Sequence, residues 1–417
     1  MSAPLPLPSL LLAGLSAVLV AAAAPSPAMA SGEADWPQLR GPNRDGTTAA
    51  TVATNWPGGR PRELWRAQVG AGHAPVSVAG GCAVTLGHTN GLDSVWCLDA
   101  ATGARRWTFD YPAIARCPGE PGNGAYDGPH AAPAIAGGRV CTLSRDGQVH
   151  VLDLATGALR WQRDLRADLK AKLPECGFSG APLAAGDTVI VNVGTAGVAL
   201  DAATGVTRWQ TGAGMAGYAG PVLDADRSQL LVFCGRALFA VRAADGATNW
   251  SLRWPTQYGA NAADPLILGD RVFITTGYGM GCALVDARTG APCRSNRVLR
   301  SQCSPPIAHR GSVYGFDGYI DWPRDQCLVC LDPLTGAERW RVPQMGGQMI
   351  LAGDRLVLTL VSGALVVAAA SPEAYTELAR ATVWPREKCS VPAALAAGRL
   401  YLRTGAGAVI CLDAGGG

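Results

Sequence analysis

The sequence predicts an all-β protein: an eight-bladed β-propeller of four-stranded antiparallel blades, closed by pairing the N-terminal strand with the last C-terminal blade. Three observations predict it. A phrase returns along the chain, its returns are spaced by about the length of one four-stranded unit, and a strand left over at one end complements a strand missing at the other.

The phrase runs Leu98-Asp99-Ala100-Ala101-Thr102-Gly103 to Trp107, then Leu152-Asp153 through Gly157 to Trp161, then Leu200-Asp201 through Gly205 to Trp209. Weaker copies follow at Asp245-Gly246 with Trp250, at Asp286 with Thr289-Gly290 and no Trp, and at Leu331-Asp332 through Gly336 to Trp340. The glycines step along at intervals of 54, 48, 41, 44 and 46 residues. Beyond Asp332 the chain runs 81 residues to Asp413, room for a degenerate copy near Ala368 to Trp384 and a final one. The count is eight.

One copy reads as one blade. Ala74 to Val78 is a short strand, Ala79-Gly80-Gly81 a turn, Cys82 to Leu86 a second strand, Ser94 to Leu98 a third and Arg105 to Phe109 a fourth. In the Asp-x-x-Thr-Gly turn the carboxylate and hydroxyl cap backbone amides while Gly takes a positive φ. The Trp is expected to lie against the neighbouring blade. These residues (Asp99, Gly103, Trp107, Asp153, Gly157, Trp161, Asp201, Gly205, Trp209, Asp332, Gly336, Trp340) are read as structural docking positions without chemistry. The last copy, Val391 to Asp413, stops after three strands, and Glu63-Leu64-Trp65 is an orphan fourth strand. Pairing them removes an exposed sheet edge.

Residues 1–30 carry no Lys, Arg, Asp or Glu, run apolar from Leu10 to Ala24 and end in Ala28-Met29-Ala30. This is the pattern of a secretory signal peptide. Residues 31–60, with Trp36 to Gly46, read as an N-terminal extended strap that packs on the ring, and 61–417 as the propeller. No Cys precedes Cys82, so no lipid anchor is expected, and no later segment is apolar enough to span a membrane. A periplasmic or secreted location follows. The formal net charge of +3, with acids and bases interspersed, gives no basic stripe for nucleic acid.

The recurring Asp-x-x-Thr-Gly-x-x-x-Trp phrase resembles the tryptophan-docking motif of the PQQ-repeat β-propellers, a superfamily that holds both the PQQ-dependent quinoprotein dehydrogenases and BamB. The opening Asp35-Trp36-Pro37-Gln38-Leu39-Arg40-Gly41-Pro42-Asn43-Arg44-Asp45-Gly46 and the closing run from Ala370 to Asp413 are similar to exported bacterial BamB-like propellers. Two departures stand out. The chain lacks the lipidation Cys of BamB and the adjacent Cys-Cys pair of the alcohol-oxidising quinoproteins.

The resemblance implies that the segment entering each innermost strand lines the axial channel at one face. Here those segments carry His73, His130, Cys176, Tyr218, Asn261, Cys303, Gln348 and Cys389, one per blade, a polar ring where a ligand or peptide docks. The quinoprotein alternative needs a hard cation on oxygen ligands beside a carboxylate base. Its nearest set is Glu175, Asn261 and Asp264, with Asp264 as the base.

Of thirteen Cys, Cys97, Cys330 and Cys411 each sit just before Leu-Asp and read as buried hydrophobes. Disulfide candidates are Cys282 with Cys293, placed nearly opposite across a hairpin, and Cys117 with Cys176 in successive loops. Cys327 and Cys330 form a C-x-x-C on an extended strand, where residues three apart face opposite sides. No nucleophile elbow, zincin helix or Walker loop is present.

The expected function is an exported, non-catalytic binding or scaffolding module for an envelope protein or peptide, with no cofactor and no metal. The alternative is a PQQ- and Ca-dependent quinoprotein dehydrogenase oxidising an alcohol or sugar. A carbohydrate binder is a third reading, disfavoured because most Trp are committed to docking.

Overall fold

A computed structural model of the chain describes Met1 and residues 35–117, 126–319, 325–384 and 391–415; the expected signal peptide and Cys389 lie outside these. Residues 31–417 form one compact unit. It holds eight antiparallel sheets in chain order, at 77–112, 134–164, 183–210, 222–253, 266–296, 307–343, 347–382 and 394–413. The first strands of successive blades approach one another, as strands at a hub must. Closure is by the predicted route. Glu63–Gln68 pairs antiparallel with Ala408–Asp413 and supplies the fourth strand of blade eight.

The antiparallel path sorts the connections into two faces. In blade one Ser77–Ala79 runs down, Cys82–Thr89 up, Leu92–Asp99 down and Arg105–Pro112 up. The Asp-x-x-Thr-Gly turns therefore lie on the lower face. The long links between blades, and the hairpin between second and third strands, lie on the upper face.

Neighbouring blades meet through the recurring Trp. The indole N–H of Trp107 donates to the Leu154 carbonyl of the next blade at 2.9 Å, and Trp161, Trp209 and Trp250 donate likewise to Ala202, Ala243 and Ala287. Trp65 donates to Ala100 across the closing seam, and Trp340 to Ser371. The ring lies on the turn glycine of that next blade. A Cβ on Gly246, which holds φ +73°, would stand 2.6 Å from Trp209 Cε3. At the seam between blades five and six Arg294 and Asn296 replace the indole, donating to the Leu334 and Gly336 carbonyls.

The N-terminal segment does more than lie on the ring. Trp36 pairs with Val78 of blade one, and the Pro37 carbonyl accepts from Ile135 of blade two. The chain turns at Arg40 and Arg44, both at positive φ, then descends so that Thr47–Thr48 runs parallel to Gly347–Ala352. Blade seven thus has five strands. Arg40 donates to the Pro306 carbonyl ahead of blade six, and Arg44 to Pro182 and Ala181 ahead of blade three. A segment that touches the inner strands or their lead-ins all round the ring occupies its axis. It is a plug inserted from the lower face, with two guanidiniums at its tip, each only 4% exposed. Burial pulls both below the usual guanidinium range, and Asp264 opposes that shift.

One buried polar cluster bridges blades one and two near the upper face. His88 Nδ1 lies 2.7 Å from Asp93 Oδ1, and its Nε2 accepts from the Gly91 amide, so His88 donates through Nδ1. The Tyr111 and His150 rings stack 4.1 Å apart beside them. Burial pushes the Asp93 carboxyl up to about 6, against the His88 hydrogen bond; Asp146 adds to the rise and Arg145 opposes it.

Three outcomes are expected. Trp209→Ala removes a buried aromatic and its hydrogen bond, and denaturant unfolding should show a loss of ~3–5 kcal/mol. Arg44→Met removes the guanidinium 3.9 Å from the buried Asp264 and leaves it the weaker attraction of Arg40; a loss of ~3–5 kcal/mol is expected, partly recovered by adding Asp264→Asn. Asp93 binds its proton more tightly folded than unfolded, so its contribution is present below pH ~4 and is lost as pH rises through ~6. Relative to Asp93→Asn, the native chain should lose ~2–3 kcal/mol between pH 4 and 7.

Candidate functional site

The plug closes the axis from below, and the upper face remains as a mouth ringed by the inter-blade links. Most of the predicted ring gathers there. His73 and His130 meet edge-on at 5.1 Å, with Tyr126 6.0 Å from His73. His130 Nε2 donates to the Tyr126 carbonyl, and burial, then Arg145, His73 and Arg403, hold its imidazole well below the usual range. It is a neutral group at any physiological pH. The Cys176 amide donates to the Tyr218 hydroxyl at 3.3 Å, and Gln348 Nε2 donates to the Cys303 carbonyl at 3.0 Å. Cys303 is exposed.

Two predicted residues turn away from the mouth. Asn261 is fully buried; its Nδ2 donates to the Cys234 and Trp254 carbonyls and its Oδ1 accepts from Thr276. Its carboxamide is a brace between blades four and five. Asp264 Oδ1 accepts from the Gly220 amide at 2.8 Å, and its Oδ2 faces Arg44 of the plug at 3.9 Å. Glu175 is exposed in the link between blades two and three. Within the set Glu175, Asn261 and Asp264, the Asn261 and Asp264 Oδ1 atoms already accept protons of the chain, while Asp264 Oδ2 accepts no hydrogen bond and faces Arg44. Among the described residues no three His, Cys, Asp or Glu converge as metal ligands.

The expected Cys282 to Cys293 pairing is corrected. The hairpin register, with Val285 opposite Pro292 and Leu284 opposite Arg294, puts Cys282 opposite Asn296, three residues beyond Cys293, and its thiol points to Asn296 Oδ1 at 3.1 Å. Cys282 is buried and Cys293 exposed. Cys117 is buried beside Gly177, where a Cβ would stand 2.8 Å from its Sγ, which places it next to the Cys176 backbone. In the C-x-x-C, Cys330 is buried and Cys327 half-buried.

Sequence reasoning missed several residues of the mouth. Arg145, 1% exposed, donates to the Ala115, Tyr126 and Cys176 carbonyls and so ties two successive links together. Arg403 does the same for the Gly70, Gly72 and Leu86 carbonyls. A charged residue at the apolar end of a strand was the available signal. Tyr258, Tyr278 and Tyr319 form an edge-to-face series with steps of 5.6 and 5.2 Å. Gln302 Nε2 donates to the Tyr278 hydroxyl at 3.1 Å. The mouth thus offers aromatic edges, neutral donors and acceptors, and buried guanidiniums beneath them.

The lower face carries a cleft of about 190 Å³ between blades eight and one, lined in part by Asp99, Arg106, Arg399 and Tyr401. Asp99 and Arg106 pair with each other at 2.7 Å there and serve the turn.

Comparison with known proteins fits this architecture. No curated protein matches the chain by sequence. BamB from Moraxella catarrhalis superposes with a TM-score of 0.62 at 16% identity, covering 85% of this chain and all of that one. The quinohemoprotein alcohol dehydrogenase ADHIIG from Pseudomonas putida HK5 gives 0.72 at 14% identity, covering 92% of this chain and 81% of that one. The computationally designed Ika8 protein gives 0.58 at 14%, covering 84% of this chain and 98% of that one. A ring shared by an assembly factor, an oxidoreductase and a designed chain speaks for fold alone. The family model described as outer membrane protein assembly factor BamB matches residues 92–342, and the chain belongs to that family of PQQ-like repeat propellers.

Proposed function

We propose that this chain is an exported, non-catalytic propeller of the cell envelope that binds or scaffolds a protein or peptide partner on its upper face. The observation that carries the reading is the plug. With Arg40 and Arg44 seated on the axis and Asp264 turned to Arg44, the chain's own residues fill the channel. What the upper face presents is aromatic rings and neutral donors and acceptors over the guanidiniums of Arg145 and Arg403. The family description, an outer membrane assembly factor, supports a protein partner and an envelope location. Among the described residues no helix is long and apolar enough to cross a membrane.

Photocrosslinking tests the reading. A crosslinker at Tyr218, on the mouth, should capture a discrete partner in envelope preparations, and one at Leu334, exposed on the lower face, should not. In parallel, excess PQQ with Ca²⁺ should leave the Tm of the purified protein unchanged. A rise of several degrees that requires both would overturn the reading in favour of the quinoprotein dehydrogenase, since a ligand bound only by the native state must stabilise it.

A further inference from the structure

Charge is divided unevenly between the two faces of blades two to five. On the lower face the turn carboxylates are met by guanidiniums, as Asp153 is by Arg160 and Asp286 by Arg271. On the upper rim Arg166, Lys170, Lys172, Arg236, Arg253 and Arg297 are exposed, and none has an ion pair or side-chain hydrogen bond among the described residues. The acids of the same rim are mostly spent. Asp168 pairs with Arg163, Asp164 accepts from the Ala167 amide, and Asp146 accepts from Ser144 and Gln148. That leaves Glu175 as the one exposed carboxylate there without a partner among the described residues. Glu120, Asp321, Arg324, Arg386, Glu387 and Lys388, outside the described residues, are three of each sign and together leave the net sign of the rim unchanged.

These cations stand in groups. Arg166 and Lys170 are one turn apart, with the Ala171 amide donating to the Arg166 carbonyl at 3.0 Å, and Lys172 follows. Arg253 is the register partner of Ala237, and the Trp254 amide donates to the Arg236 carbonyl at 2.8 Å, so Arg236 and Arg253 are neighbours across the upper end of blade four. Like charges at such spacings repel, and no packing contact of the ring calls for them. Between the two groups lie the upper connections of blade three, Asn192 to Gly197 and Thr211 to Gly217, which carry no charge. They pack backbone to backbone: a Cβ on Gly194 would stand 2.2 Å from the Gly212 carbonyl oxygen, and one on Gly214 would stand 2.6 Å from Thr195 Oγ1. Gly212 and Ala213 are exposed at the top of this stretch. Small residues between long basic ones make a saddle between two posts.

We infer that this saddle, with Arg166, Lys170 and Lys172 on one side and Arg236 and Arg253 on the other, docks an acidic extended segment of a protein partner. The complement of two unneutralised basic posts is a ligand with carboxylates at both ends. A chain-width trough of glycine and alanine between them admits a peptide backbone, whereas a flat charged surface would rest on the posts and leave the saddle empty. The inference rests on the reading that the upper face binds a protein partner, and it specifies the charge of the segment bound and where it lies.

The test is a titration of the purified protein into a dye-labelled, capped peptide of three Glu-Glu-Ser-Gly repeats, followed by anisotropy at ~50 mM salt, where exposed charges are weakly screened. Lys170→Gln with Lys172→Gln removes charge from one post, and Arg236→Gln with Arg253→Gln from the other. Arg105→Gln with Arg288→Gln removes the same charge from the lower face. All six side chains are exposed and bear no printed bond of the fold, so Tm should hold. Saturable binding weakened roughly fivefold by each upper pair and less than twofold by the lower pair is the expected result. The twin peptide with Gln for Glu should not bind. Absence of saturable binding, or equal loss in upper and lower pairs, overturns the inference, the latter because only net charge would then matter. Tighter binding to phosphatidylglycerol vesicles or to a DNA duplex, lost in the same upper pairs, also overturns it. The Tyr218 crosslink separates the two levels of argument. A crosslink undiminished in both upper pairs leaves the partner reading intact while the saddle fails, and a peptide bound at the saddle without any crosslink does the reverse.

Discussion

Each blade has two apolar faces and cannot cover either by itself, and everything else in the structure depends on how neighbours cover them. The contact that recurs at the seams is a flat indole laid on a glycine of the next blade, with its N–H held by a carbonyl of the same turn. The glycine serves twice: it takes the positive φ that the turn needs, and its missing Cβ lets the ring approach. Buried hydrophobes such as Leu98, Val151, Leu200 and Val241 then fill the space between sheets. Two seams lack the indole: between blades five and six Arg294 and Asn296 keep the hydrogen bonds and forgo the flat surface, and between seven and eight the strand Glu377–Thr382 carries no Trp.

Closure follows from the same need. A ring of seven complete blades and a three-stranded eighth would expose an edge, and Glu63–Gln68 covers it by pairing with the last strand. This staples the two ends of the folded unit together, and Trp65 carries the seam contact onward to Ala100 of blade one. The hub is then filled by the segment just before that strand. Arg40 and Arg44 reach backbone carbonyls on opposite sides of the axis, so the plug braces the ring from within while sealing its lower face.

Much of the ring was legible from sequence because its cause is local. A turn of Asp, Thr and Gly followed by Trp encodes a hairpin and one seam contact, and its spacing counts the blades. The mouth was only half legible. Position in the repeat placed His73, His130, Cys176, Tyr218, Cys303 and Gln348 in the lead-ins, but it did not say which way a side chain turns. Asn261 and Asp264 share those lead-ins and point into the packing. The hairpin register puts Cys282 opposite Asn296 and not Cys293. Tyr278 and Tyr319 stand at one repeat position, after Gly277 and Gly318 in successive blades, but Tyr258 comes from an inter-blade link, so periodicity did not join all three.

By itself the sequence determined the number of blades, their order, the four-stranded unit and the closing pair, since each rests on contacts between near neighbours in a repeat or on the arithmetic of its ends. Only the tertiary structure decided that residues 36–48 fill the axis and that three tyrosines converge at the mouth. Those contacts join residues far apart in the chain, as Arg40 to Pro306 shows, and a hub brings together whatever the ring has already carried round to it.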